Sequence, residues 1–307
     1  MGWLLDNALA TMPGPAFLLF YGLVAAIAIV GAWLFVDAQD RTDRVPPPRA
    51  PGVIDPYELA YLRGGAAEVL RTAIYALRQQ RLVELSGGGR VRTSGGFVAG
   101  LNPIERRVHE AIAPEPTIAS LFAQDGLLAA VEDLCRATRQ RLAAQQLLRP
   151  PEVARAAVFA IAAGLGLLGA LAGYKLLAAA AHGRSNVGLL IAEAFIAGLL
   201  IVVVVRKADR DGASKRGRAY LAQIRLAYSG KTVAGRSQGG VGQAAGGGAA
   251  ALLMVGLFGY AALKGTPDEA LAREFARARA SGGDSGGGCG GGDGGGGGGC
   301  GGCGGGD

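Results

Sequence analysis

Residues 16–36 run for 21 positions without a charged side chain, and at 1.5 Å rise per residue that length crosses a hydrocarbon layer of about 30 Å. The pattern predicts a transmembrane helix. Met1 to Pro15 has no Lys or Arg and carries Asp6, so the stretch reads as an uncleaved anchor rather than a signal peptide. Two further apolar runs, 156–177 and 187–205, are separated by Ala178 to Asn186 and predict a membrane hairpin.

Between the first two spans the pattern changes to that of a soluble domain. Residues 37–54, with VPPPRAPG at 45–52, form a Pro-rich spacer. Asp55-Pro56 reads as an N-cap and first helical position of a short helix through Leu59 and Leu62 that stops at Gly64-Gly65. From Ala66 to about Arg81, Val69, Leu70, Ala73, Ile74 and Leu77 recur at helical spacing, with Arg71, Arg78 and Gln79 on other faces. Leu82 to Leu85 and Arg90 to Thr93, around a glycine turn, predict a β-hairpin. Helices follow at 104–113, at 117–124 with Thr117 as its cap, and at 126–148, the last with Leu127, Val131, Leu134, Thr138 and Leu142 as its apolar stripe. The order of helices and hairpin makes residues 55–150 a helical, winged-helix-like domain.

Beyond the third span the chain reads as a basic, Gly-rich segment at 206–243, an apolar helix at 244–263, an amphipathic helix at 264–280 and a tail at 281–307. Only the last 12 residues of 244–263 are strongly apolar, which favours an interfacial or docked helix and leaves a fourth span open. Glycine fills 19 of the 27 tail positions, so the tail cannot bury a core and is expected to be disordered. The fold class is therefore mainly α: a polytopic helical membrane protein with a winged-helix-like domain and a disordered Gly-rich tail.

Composition agrees with this division. The chain of 307 residues is 50% apolar and only 18% charged, greasy for a purely water-soluble protein. The net charge of +7 matters chiefly through its placement. Arg206, Lys207, Arg210, Lys215, Arg216 and Arg218 follow the third span, and Arg41, Arg44 and Arg49 follow the first, whereas the hairpin loop holds only Arg184. Basic flanks stay on the cytoplasmic side, so residues 37–155 are expected inside a bacterial plasma (inner) membrane and the N-terminus outside. Within 37–155 the 16 arginines meet 14 acidic groups, a balance that argues against nucleic acid as a partner. Membrane lipid, and a protein partner or a second copy in a homo-oligomer, are the expected partners.

Candidate chemistry is sparse. Ser229-Gly230-Lys231-Thr232 imitates the end of a phosphate-binding loop, but Arg225 stands where that motif needs glycine. Gly240 to Ala245 and Gly235 to Gly239 imitate a dinucleotide fingerprint and a nucleophile elbow without the strand either requires, and His109 and His182 are the chain's two histidines. No catalytic or cofactor-binding constellation assembles, so the chain is read as no enzyme. Cys300 and Cys303 have zinc-ligand spacing and Cys289 offers a third thiolate, one short of a closed tetrahedral site. Cofactor binding is thus expected to be absent, with zinc the alternative. Cys135 reads as buried and inert. Glu193 lies inside the third span, where a bare carboxylate is costly, and Lys175 near the outer end of the second span is its expected ion-pair partner. Gly169, Gly173 and the Ala162-Gly166-Ala170 steps are expected to let these two helices approach.

Asp55 to Gly65 (DPYELAYLRGG), Gly217 to Leu221, Leu257 to Leu263 (LFGYAAL) and the Cys289 to Cys303 tail together resemble a family of bacterial membrane proteins of unassigned function. That resemblance covers nearly the whole chain, implies the same architecture, supplies no catalytic residues and favours a docked helix at LFGYAAL. Three functions follow as expectations: a membrane-anchored scaffold, a metal- or redox-responsive membrane protein using the cysteine tail, and a membrane-anchored winged-helix regulator.

Overall fold

The architecture is that of a computed structural model, and residues 12–49, 51–96, 98–181, 188–210, 212–236 and 248–281 are described. It is mainly helical. Three helices are long and apolar enough to cross a membrane: α1 (Gly14–Gln39), α7 (Pro151–Ala181) and α8 (Gly188–Arg210). They pack against one another, burying Phe17, Tyr21, Ala25, Leu168, Ala172, Leu190, Ala197 and Ile201. Their outer faces leave Leu19, Leu23, Ile27, Phe159 and Phe195 exposed. A bundle with apolar side chains on both its inside and its outside suits lipid as the surrounding solvent.

The close approach of α7 and α8 runs through other glycines than the spacing predicts. A Cβ at Gly164 would stand 2.7 Å from Ile201 Cδ1 and one at Gly198 would stand 3.2 Å from Leu165 Cδ2, whereas Gly166, Gly169 and Gly173 face open space. The reason is helical phase. Ala157, Ala160, Leu168 and Ala172 form the buried line of α7, and Gly164 falls on it while Gly166, Gly169 and Gly173 do not.

The remaining described helices are built around α2 (Pro56–Gln79). Asp55 caps it by accepting from the Tyr57 amide at 2.9 Å. Gly64 and Gly65 have non-helical backbone and form a joint between two helical segments, where Gly65 has φ +65° and is open only to residues that tolerate the left-handed region. Strands β1 (Val83–Ser86) and β2 (Arg90–Thr93) pair antiparallel, Val83 opposite Thr93, and Arg90 also bridges Thr117. Helix α3 (Pro103–Ile112) starts with a complete capping box between Asn102 and Glu105, and α4 (Ile118–Ala123) is capped by Thr117. The single helix expected over 126–148 is two, α5 (Asp125–Leu134) and α6 (Arg136–Ala144), which break at Cys135. Cys135 is buried and Leu134 is 42% exposed, so the buried stripe runs through Leu127, Val131 and Cys135 at i, i+4 spacing rather than through Leu134.

Within the segment read as basic and Gly-rich, residues 215–236 form a helix, α9 (Lys215–Arg236), whose Tyr220, Leu221 and Ile224 enter the core. Helix α10 (Gly248–Phe258) continues as a 3-10 turn (Gly259–Leu263) and packs along α2, and α11 (Glu269–Ser281) packs on α4 through Phe275 and Phe122. One buried core thus draws on Leu59 to Leu147 before the α7–α8 hairpin and on Ala213 to Ala278 after it. The membrane-type hairpin is an insertion in the soluble domain.

Candidate functional site

Three places concentrate polar chemistry. The first is the joint in α2. Arg63 and Arg71 both grip Glu68, Arg71 donating from Nη1 to Oε1 at 2.8 Å and Arg63 from Nη2 to Oε2, with Arg71 and Glu68 side chains only 2% and 6% exposed. The Arg71 guanidinium also lies 4.6 Å from the Phe122 ring centroid. Arg63 donates from Nη1 to the Val255 carbonyl at 3.2 Å, and Arg225 donates to the Leu257 carbonyl at 3.3 Å. Those carbonyls belong to the last turn of α10, whose orphan acceptors and negative dipole end favour guanidinium partners. Burial lowers the pKa of Arg63 from the ordinary arginine value, opposed by the Glu68 charge and reinforced by Arg225 and Arg71.

This cluster explains the RGG string. The Glu68 side chain folds over Gly64, where a Cβ would meet Cγ at 2.6 Å, and Gly65 supplies the positive φ. Gly259, at φ +76°, lies so close to the Arg63 guanidinium that a Cβ has no room, and a Cβ at Gly256 would stand 2.5 Å from the Pro56 carbonyl oxygen. LRGG and LFGYAAL are two halves of one contact.

The second place is the collar where bundle meets domain. Asp40, just past α1, accepts the Lys215 amide at 2.7 Å and so caps α9 from 175 positions upstream. It also accepts the Thr42 hydroxyl at 2.6 Å, while Lys215 pairs with Asp37 at 2.8 Å. Ser214 donates to the Gln146 carbonyl at 2.7 Å, and Arg216 donates to the carbonyls of Pro46 and Gln145 at 3.0 and 2.7 Å. Burial alone would raise the Asp40 pKa, but the Thr42 hydroxyl, the Lys215 and Thr42 amides and the Arg149 charge together hold it below the ordinary carboxylate value.

The third place is in the bundle. Lys175 donates to the Met12 carbonyl at 3.0 Å and its ammonium lies 4.8 Å from the Phe17 ring centroid. Glu193 faces α1, where a Cβ at Gly22 would stand 3.0 Å from Oε1. The structure thus places both residues against α1, and no Lys175–Glu193 ion pair occurs among the described residues. Sequence spacing ranked the partners within the hairpin and had no means of seeing that α1 packs against both of its helices.

Elsewhere, a shallow open depression of about 480 Å³ is lined by Arg107, Ala130, Asp133, Leu134 and Arg136. Burial pushes the Cys135 thiol up to about 12, with the Glu132 charge adding. No group of three potential metal ligands occurs among the described residues. Cys289, Cys300, Cys303 and His182 lie outside the described residues, as does the fingerprint-like stretch at 240–245. Ser229 to Thr232 fall inside α9, a setting unlike the strand-to-helix loop of a phosphate-binding motif.

No family model, curated protein or solved structure matches the chain. Sequence reasoning missed Arg63, Glu68, Arg71 and Asp40. The readable signal was a Glu and an Arg three residues apart within the largely apolar run from Ala66 to Leu77.

Proposed function

We propose that the chain is a non-enzymatic membrane scaffold that presents a soluble, winged-helix-like domain in a fixed posture at the cytoplasmic face of a bacterial inner membrane. The observation that carries this reading is the collar: Asp40 accepts the Lys215 amide, Thr42 accepts the Arg216 amide and Asp37 pairs with Lys215, so the end of α1 and the start of α9 are tied by part-buried hydrogen bonds and an ion pair. A flexible tether would serve to anchor a domain; a collar of this kind also orients it. Orientation across the bilayer follows from the arginine-rich flanks, with residues 37–155 and α9 to α11 inside and the N-terminus outside.

The depression around Leu134 is the proposed contact for a protein partner, because an apolar side chain ringed by Arg107, Asp133 and Arg136 has the make-up of a small interface core with a polar rim. Nucleic acid is the weaker occupant of the same domain. Arg92, Arg107, Arg136, Arg139 and Arg141 each stand beside a carboxylate, which removes the concentrated positive field that phosphates require.

The test is a photo-crosslinking residue at position 134 in the full-length chain in cells, with position 86 labelled in parallel by a membrane-impermeant reagent after a Ser86→Cys change. A discrete cross-linked species and labelling of position 86 only after lysis support the proposal. Labelling of position 86 on intact cells, or no cross-linked species at position 134, overturns it.

A further inference from the structure

Val36, Val153 and Val205 pack together and close the bundle on the side of the soluble domain, so they mark where the three apolar helices meet the lipid headgroups. Around this layer the charges are not balanced internally. Lys215 is taken by Asp37 and Arg155 by Glu152, and Arg216 is spent on two backbone carbonyls. Arg41, Arg44, Arg49 and Arg206 are exposed and form no ion pair or side-chain hydrogen bond among the described residues. Arg206 directly follows the buried Val205, and Arg41 and Arg44 flank the turn that rests on α9. Four unpaired guanidinium groups on the segments that leave this layer supply a concentration of positive charge, and a guanidinium matches a phosphate in a bidentate way.

We infer that these arginines bind anionic phospholipid: Arg41, Arg44, Arg49 and Arg206 hold headgroup phosphates of the leaflet on the domain's side and select negatively charged lipid for the boundary of the bundle. The inference rests on the three helices crossing a bilayer. Each cation near an anionic surface contributes on the order of a fivefold preference, and four together make selection measurable even if only part of that is realised.

The chain carries its own reporter. Of its two tryptophans, Trp33 lies in α1 three residues before Val36 and is 44% exposed, and Trp3 is removed by Trp3→Phe. Full-length Trp3→Phe protein is reconstituted in vesicles of phosphatidylcholine with either brominated phosphatidylglycerol or brominated phosphatidylcholine, and quenching of Trp33 is compared. The expected result is at least about a fivefold preference for brominated phosphatidylglycerol at low salt, falling as ionic strength rises. The quadruple change Arg41→Gln, Arg44→Gln, Arg49→Gln and Arg206→Gln is expected to bring the ratio close to one. Arg81→Gln, Arg90→Gln and Arg106→Gln together, removing three exposed arginines of the soluble domain, are expected to leave it unchanged. Equal quenching by both lipids in wild type, or a preference that survives the quadruple change, overturns the inference. Absence of quenching by either lipid overturns instead the membrane-spanning reading beneath it. If the quadruple variant cannot be purified, Arg206→Gln alone and the salt series decide.

Discussion

Replacing Glu68 by Gln is the sharpest probe of the soluble domain. The change keeps the volume and one acceptor oxygen but removes the charge that compensates Arg63 and Arg71, whose side chains are 10% and 2% exposed. Removing one member of a buried ion cluster leaves the others uncompensated, a loss of about 3–5 kcal/mol. For a domain of ~150–250 residues each kcal/mol corresponds to about 2–4 °C in Tm, so the midpoint is expected to fall by at least ~6 °C. The assay is thermal unfolding of the full chain in detergent, followed by near-ultraviolet circular dichroism. Glu84→Gln is the control, because its pair with Arg92 has both side chains more than half exposed and its loss is expected to leave the midpoint nearly unchanged. A second variant, Glu68→Gln with Arg71→Met, is expected to recover part of the loss, since it leaves one fewer buried cation. If Glu68→Gln costs no more than Glu84→Gln, the cluster does not hold α10 against α2.

Gly256→Ala is expected to cost about 1–3 kcal/mol by driving a methyl into the Pro56 carbonyl, and Gly259→Ala a comparable amount from its positive φ and the Arg63 contact; hydrogen exchange in 248–263 should rise in both. Asp40→Ala removes the remote cap of α9 and is expected to cost about 1–2 kcal/mol, read as faster proteolysis near Lys215. The folded-state pKa of Asp40 is lowered, so its stabilisation is fully present above the unfolded carboxylate value of about 4 and is lost as pH falls through the lower folded value; wild type should show this acid-side loss and Asp40→Asn should not. With Cys289, Cys300 and Cys303 changed to Ser, the chain should resist iodoacetamide at pH 8 and react at Cys135 only in denaturant, because a thiol held up near about 12 is neutral as well as covered. A double-mutant cycle of Lys175→Met and Glu193→Gln should give a coupling below about 0.5 kcal/mol, in keeping with their separate neighbours on α1.

Much of this architecture was legible because its signals are local. The spans at 16–36 and 156–177 sit inside α1 and α7, residues 188–205 of the third fall inside α8, and the DP and Thr117 starts are caps that hydrogen-bond as their spacing implies. Longer-range facts were hidden. Helix α9 mixes Tyr220, Leu221 and Ile224 with basic residues and glycines, so its apolar stripe is diluted until α2 and α10 supply the other wall. The break at Cys135 has no glycine or proline to announce it. Arg71 reads as a solvated face by spacing but is buried, because Glu68 on its own helix and Phe122 from α4 enclose it. Periodicity says which residues share a face and nothing about a charged residue that brings its own counter-charge inward.

Because the α7–α8 pair is threaded through the middle of one globule, biosynthesis faces a fixed schedule. The portion made first, up to Leu147, must wait with its groove along α2 uncovered while two apolar helices are handed to the lipid, and only the arrival of Val255, Leu257 and Phe275 closes it. Truncation before Phe275 therefore does more than trim an end: it strands an open hydrophobic seam beside the bilayer, in plain view of the cell's proteases.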